Sequence, residues 1–235
     1  MSDGYGQHAR LAVGLPLPEQ LARPDQQLTG RGAGEGDPQR ARDALSRLDR
    51  PLERGADLGP GRPDLLEELP SDGGELHATV AADAVTRELR DRAEIIDALY
   101  RFGLGQDLKD GELFASAFAE DAELDFRPAA AAWGAEPPLM SGRDTIVTTI
   151  LAMFEGRVDT THQVTNPRVA VGGDTARLTA LVEAQHLLIA DRGTHALLKN
   201  LYDVDLVREG ERWLLRRVRI DNLWYTGDPT AVLGG

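Results

Sequence analysis

The sequence predicts an α+β domain: a curved antiparallel sheet wrapped around three helices, behind a disordered N-terminal extension. Three observations carry this. Aromatic residues are almost confined to the part after residue 80, with only Tyr5 before it. Helical periodicity dominates between residues 83 and 154. Beyond residue 160 the pattern changes to period two, in runs separated by turn signals. Helices and a short strand followed by consecutive long strands indicate an antiparallel meander with its covered face turned toward the helices.

Residues 1–80 hold 12 Gly and 8 Pro and have little large apolar surface to offset the entropy of ordering. They read as a low-complexity extension with short helices at 39–49 and around 63–69. Residues 81–235 read as one domain, long enough to bury roughly 70% of its unfolded surface.

The first helix is expected over 83–105, where Val85, Leu89, Ile95, Ile96, Leu99 and Tyr100 recur at helical spacing and Gly103 and Gly105 loosen the end. A second runs from Lys109 to Phe118, and a short strand from Glu123 to Arg127. Pro128 to Pro138 is an Ala/Pro-rich loop carrying Trp133. The third helix spans Arg143 to Phe154 with Ser141 as cap. Strands follow at about 160–171, 175–190, 194–208 and 212–226, with Gly172-Gly173-Asp174 as a hairpin signal and Pro167 marking a bulge or sheet edge.

Strand parity sorts the polar residues. His186 shares a face with Ala176, Leu178, Ala180, Val182 and Ala184. Asn200 shares a face with Leu198, Tyr202, Val204 and Leu206, whereas His195 points outward. In the last strand Arg216, Val218, Ile220, Asn222 and Trp224 share a face. Leu181, Leu187, Leu197, Leu201 and Leu215 take the outward parity and would suit an interface. Inward polar groups need partners, and His186, Asn200 and His162 are assignable to one apolar concavity. Asp107, after the first helix, could supply a carboxylate there or cap the next helix.

The formal charge of −13 disfavours nucleic acid and anionic membranes as partners. The absence of cysteine excludes disulfides, thiolate metal sites and a cysteine nucleophile. No apolar run reaches the roughly 18 residues of a membrane span, and the first residues lack the order of a secretory signal, so a cytoplasmic protein is expected. Of 26 cationic residues only Lys109 and Lys199 are lysine, which reads as codon bias. There is no G-x-S-x-G, P-loop or dinucleotide fingerprint.

Several short words occur in a telling order: Ile95-Ile96-Asp97-Ala98-Leu99-Tyr100, Asp107-Leu108-Lys109-Asp110, Phe118-Ala119-Glu120-Asp121-Ala122, Thr161-His162-Gln163-Val164, Glu183-Ala184-Gln185-His186, Lys199-Asn200-Leu201-Tyr202 and Asp221-Asn222-Leu223-Trp224. Over about residues 88–228 the chain resembles the nuclear transport factor 2-like superfamily, especially its SnoaL-like branch and scytalone dehydratase. The resemblance implies a cone enclosing one deep pocket, with Asp107, His162, His186 and Asn200 as the catalytic set. Tyr100, Phe102, Tyr202, Asn222 and Trp224 would contact substrate. Where scytalone dehydratase has a Tyr before its Asp, this chain has Gln106.

Such a site supports general acid/base chemistry without a cofactor. An Asp fixes the tautomer of a His that removes a proton alpha to a carbonyl, either His returns a proton to a leaving hydroxyl, and Asn200 stabilises the developing oxyanion. Dehydration, double-bond isomerisation or cyclisation of a hydrophobic cyclic, polyketide- or steroid-like molecule is expected. A metal-binding facial triad lacks supporting spacing, and no metal is expected. The alternative is a non-catalytic binder or assembly subunit of the same fold, such as the small subunit of ring-hydroxylating dioxygenases. A homodimer through the outer sheet face is expected from the family.

Overall fold

A computed structural model of the chain describes Asp43 and residues 73–234, with side chains from residue 82 onward. The expectations for residues 1–72, including the helices at 39–49 and 63–69, lie outside the described residues apart from Asp43, which is helical.

Helix α1 (Gly73–Leu108) is longer at both ends than its periodicity suggests. Residues 82–90 are exposed, Val85 and Leu89 among them, and burial begins at Asp91. There the Asp91 carboxylate accepts hydrogen bonds from Arg208 (2.6 Å) and the Trp213 indole (3.2 Å), tying the helix to the sheet. Ile95, Ala98, Leu99 and Phe102 then turn into the core. Gly103 and Gly105 do not loosen the helix; they let other elements approach it. A Cβ on Gly105 would stand 2.5 Å from the Cα of Phe114 in helix α2 (Gly111–Ala115). This second helix is shorter than expected, because Phe118 already begins strand β1 (Phe118–Asp125). Its cap is Asp110, whose carboxylate accepts the Leu113 N–H at 3.0 Å, so Asp107 is free for other duty.

The Ala/Pro-rich loop contains the short helix α3 (Arg127–Ala130) and one 3-10 turn, Ala131–Trp133. Strand β2 (Met140–Ser141) includes the residue expected as cap of helix α4 (Arg143–Phe154); the cap position is Gly142, at φ +87°. Strands β3 (Val158–Gly172), β4 (Thr175–Leu188), β5 (His195–Glu209) and β6 (Arg212–Gly227) form the expected meander. A last helix, α5 (Pro229–Leu233), was not legible in the sequence. The strands form one curved, unclosed sheet in the order β2-β1-β6-β5-β4-β3. It is mixed, since β1 runs parallel to β6 while every other pair is antiparallel.

The bulge expected near Pro167 lies between Thr165 and Arg168, with Asn166 at φ +53°, and β3 is also an edge strand. Two bulges in β6 overturn the parity of that strand. Lys199 pairs with Trp224 but Asn200 with Asn222, so Leu223 is an extra residue and the alternation shifts by one. Asn222 stays inward, while Trp224 is turned out, 40% exposed, with the Lys199 ammonium over its ring at 6.0 Å. A second register shift, at Arg216, sends Leu215 into the core and Arg216 to the surface, the reverse of the sequence expectation. On the outer face Leu181, Leu187 and Leu197 are half-buried and Leu201 is buried.

The crossing of α1 over α2 yields a stability prediction. Gly105→Ala puts a methyl against backbone and is expected to cost about 2 kcal/mol in denaturant unfolding, as overpacking does. At an open helix position the same change would stabilise by up to about 1 kcal/mol. A variant as stable as the wild type would contradict the tight crossing.

Candidate active site

The end of α1 lies against edge strand β3, and the contact is polar. The outward N–H of an edge strand needs a partner, and here the His162 N–H donates to Asp107 Oδ2 at 2.7 Å. The His162 ring meets the same carboxylate, Nδ1 to Oδ1 at 2.7 Å. The Thr160 hydroxyl donates to Oδ1 at 2.9 Å. Gly103 permits the approach: a Cβ there would stand 3.1 Å from that of His162.

Burial alone would push the Asp107 carboxyl up, but the His162 ring, the His162 N–H and the Thr160 hydroxyl together hold it below its ordinary value. An ionised Asp107 can only accept, so Nδ1 of neutral His162 carries the proton. Its Nε2 then presents a lone pair.

His162 forms part of the wall of a cavity of about 360 Å³. Phe102, Leu124, Ile150, Phe154, Leu198 and Ile220 make most of it apolar, and Trp133, Pro137 and Leu233 line it too. The polar lining is sparse. Asn200 Oδ1 accepts from Asn222 Nδ2 at 2.9 Å, and among the described residues the Asn200 amide nitrogen has no partner. The Asn222 amide nitrogen also lies 3.0 Å from the Trp224 carbonyl, which fixes the orientation of the amide pair. Tyr202 lies edge-on to Phe102 at 5.9 Å. Burial pushes its phenol well up, so it remains a donor. The Gln106 amide donates to the Phe102 carbonyl at 3.0 Å, leaving its oxygen as an acceptor.

His186 stands directly across the β3–β4 ladder from Thr160, its ring 5.7 Å from that of His162 and 5.5 Å from that of Phe154. It is buried, and its Nδ1 has no hydrogen-bond partner among the described residues. Burial, with His162 beside it, lowers its pKa to about 3. His186 is therefore a neutral imidazole at physiological pH, able to hydrogen-bond but not to deliver a proton as a cation.

Of the residues expected at the site, Phe102, His162, His186, Asn200 and Tyr202 line the cavity, and Asp107 stands directly behind His162. Three do not line it. Tyr100 is 48% exposed, because it lies two residues from Phe102 on a helix and so points elsewhere. Trp224 is outward through the bulge at Leu223, and Tyr225 is the residue that packs inside, 5.9 Å from Trp133. Asn222 reaches the cavity only through Asn200. Thr160 and Lys109 were not singled out, although Thr160 has the parity of His162. Among the described residues no three His, Asp or Glu side chains converge as a metal site, and no helix is long and apolar enough to cross a membrane.

A curved, unclosed sheet over helices around an apolar hollow is the architecture called nuclear transport factor 2-like. The chain belongs to the SnoaL-like domain family, which it matches over residues 87–219. It is 31% identical over 158 residues to terrestric acid biosynthesis cluster protein E of Penicillium crustosum, covering 64% of this chain and 94% of that protein. Among solved structures it resembles the Kfla4162 protein of Kribbella flavida, with 27% identity, TM-score 0.52, and 58% of this chain and 93% of that one covered. A protein of Novosphingobium aromaticivorans provisionally named scytalone dehydratase shares the fold at 20% identity and TM-score 0.51, with 61% and 91% covered.

The neutral burial of His186 sets a pH dependence of stability. In the unfolded chain this imidazole takes up a proton near its ordinary 6.5, but in the fold only near 3. The unfolded state therefore binds the proton first, and stability falls as pH drops from about 6.5 toward 3. His186→Gln removes this component. Its stability should fall less steeply than that of the wild type between pH 6.5 and 4.5, by up to about 1.4 kcal/mol per pH unit in denaturant titrations. Parallel curves would contradict a neutral buried His186.

Proposed function

We propose that this protein is a cofactor-independent lyase or isomerase that acts on a hydrophobic cyclic or polyketide-like molecule by proton transfer through His162. The observation that carries the proposal is the 2.7 Å contact between Asp107 Oδ1 and His162 Nδ1 at the wall of an apolar cavity. A volume of about 360 Å³ lies within the range of small-molecule sites and suits two or three fused rings. The curated relative named for a biosynthetic cluster, and the neighbour named as a scytalone dehydratase, are consistent with such a substrate.

In a dehydration, His162 Nε2 takes the proton alpha to a carbonyl while Asp107 stabilises the imidazolium. The Asn200 amide nitrogen donates to the carbonyl oxygen as negative charge develops there. The C–H electron pair then forms the new double bond, the C–O bond at the beta carbon breaks, and the imidazolium returns its proton to the departing hydroxyl as water. His162 carries out both transfers, because His186 remains neutral; His186, Tyr202 and Gln106 offer hydrogen bonds that orient the substrate. The same first step followed by reprotonation at another carbon gives isomerisation. In this proposal two copies pair through the outer sheet face around Leu181, Leu187 and Leu197.

The test uses 1-tetralone and 3-hydroxy-1-tetralone. The wild type should accelerate exchange of the α-protons of the first in D2O, followed by NMR. It should also convert the second to 1-naphthol with loss of water. His162→Ala and Asp107→Asn should each lower both rates by about 10²–10⁴-fold. Variants as fast as the wild type, or a wild type no faster than buffer, would contradict the assignment.

A further inference from the structure

Lys109 occupies a backbone position that favours another residue. It follows the last turn of α1 in the left-handed region, at φ +57°. Its N–H donates to the Gln106 carbonyl at 3.2 Å and that of Asp110 to the Gly105 carbonyl at 2.9 Å, the paired closure that usually places glycine at this point. A side chain held there carries strain. Nothing in the turn itself requires a lysine.

The lysine side chain returns toward the site. Its Nζ donates to the Gln106 carbonyl at 3.0 Å and to Thr160 Oγ1 at 3.1 Å, and lies 5.4 Å from the centre of the Phe154 ring. Thr160 Oγ1 in turn donates to Asp107 Oδ1. The direction of this relay is fixed by proton count. An ammonium can only donate, and a threonine hydroxyl has one proton to give. With a Thr160 lone pair taken by Lys109, that proton is directed to Asp107. The carboxylate is thereby gripped from both sides, by Thr160 and by His162.

We propose that Lys109, acting through Thr160, is a positioning residue for the Asp107–His162 pair: it fixes the donor direction of the relay and places a positive charge that opposes protonation of His162. The proposal rests on His162 being the base. The groups facing the pair are Lys109 from the turn, Thr160 from β3, His186 from β4 and Tyr202 from β5; Asp159, next to Thr160, acts on Lys109 but is paired with Arg192. Among these Lys109 is the one ammonium; burial lowers its pKa from the ordinary value, partly offset by Asp107 and Asp159. Its role gives a reason for lysine at this place in a chain whose other cations, Lys199 apart, are all arginine.

The test measures 1-tetralone exchange against pH for the full chain and for K109G, K109M, T160V, T160S and H162A. K109G relieves the left-handed backbone while removing the ammonium, so its thermal midpoint should stay within a few degrees of the wild type. K109G, K109M and T160V should each lose about 10-fold in rate, as loss of an outer-shell partner does. In both lysine variants the acid limb of the rate profile should move to higher pH, which a purely structural role would not cause. T160S should recover most of the loss. Wild-type rates and an unmoved acid limb in K109G and T160V, with H162A inactive, would overturn the relay while leaving His162 as base. Equal losses in T160S and T160V would overturn it too. An H162A variant as active as the wild type would remove the base assignment and the relay together.

Discussion

The structure depends on where one carboxylate is spent. Asp107, in the last turn of α1, accepts the edge N–H of β3, the His162 ring and the Thr160 hydroxyl. Hydrogen bonds to a charged group contribute about 1.5–3 kcal/mol each, and more is lost when such a group is buried and left without its partners. The same atoms that fasten the helical half to the sheet therefore set the orientation of the imidazole. Packing serves this contact: Gly103 brings the helix within reach of β3, and Gly105 lets α2 cross close beneath.

Two histidines with rings 5.7 Å apart receive opposite environments. His162 has a carboxylate behind it and the cavity before it. His186 is enclosed, lacks a partner at Nδ1 among the described residues, and is kept neutral by burial. Similar side chains thus stand in different environments, one hydrogen-bonded to a carboxylate and one held neutral, and the difference comes from the surroundings alone. Asn200 repeats the pattern on the sheet: Asn222 holds its oxygen, and its amide nitrogen has no partner among the described residues.

Much of this was legible because period two in β4 and β5 is uninterrupted. His186, Asn200 and Tyr202 follow directly from the alternation of their neighbours, and all three line the cavity. Parity failed in β6, where bulges at Leu223 and Arg216 each insert a residue. Trp224, Leu215 and Arg216 were misplaced for that reason, and no composition signal marks those bulges as Pro167 marks the one in β3. The glycines of α1 read as breakers because close approach by Phe114 and His162 is a tertiary fact. Nor could spacing alone choose between His162 and His186 as partner of Asp107. That choice depends on which strand forms the sheet edge beside α1.

The most direct test of the account is the protonation pattern of His162 in the free protein, read by 15N NMR on 15N-histidine-labelled protein, with H162A providing the assignment. Neutral His162 is expected to carry its proton on Nδ1, facing Asp107, and to leave Nε2 bare. A neutral ring protonated on Nε2 would contradict it, because such a ring could neither donate to Asp107 nor accept a proton from a molecule in the cavity.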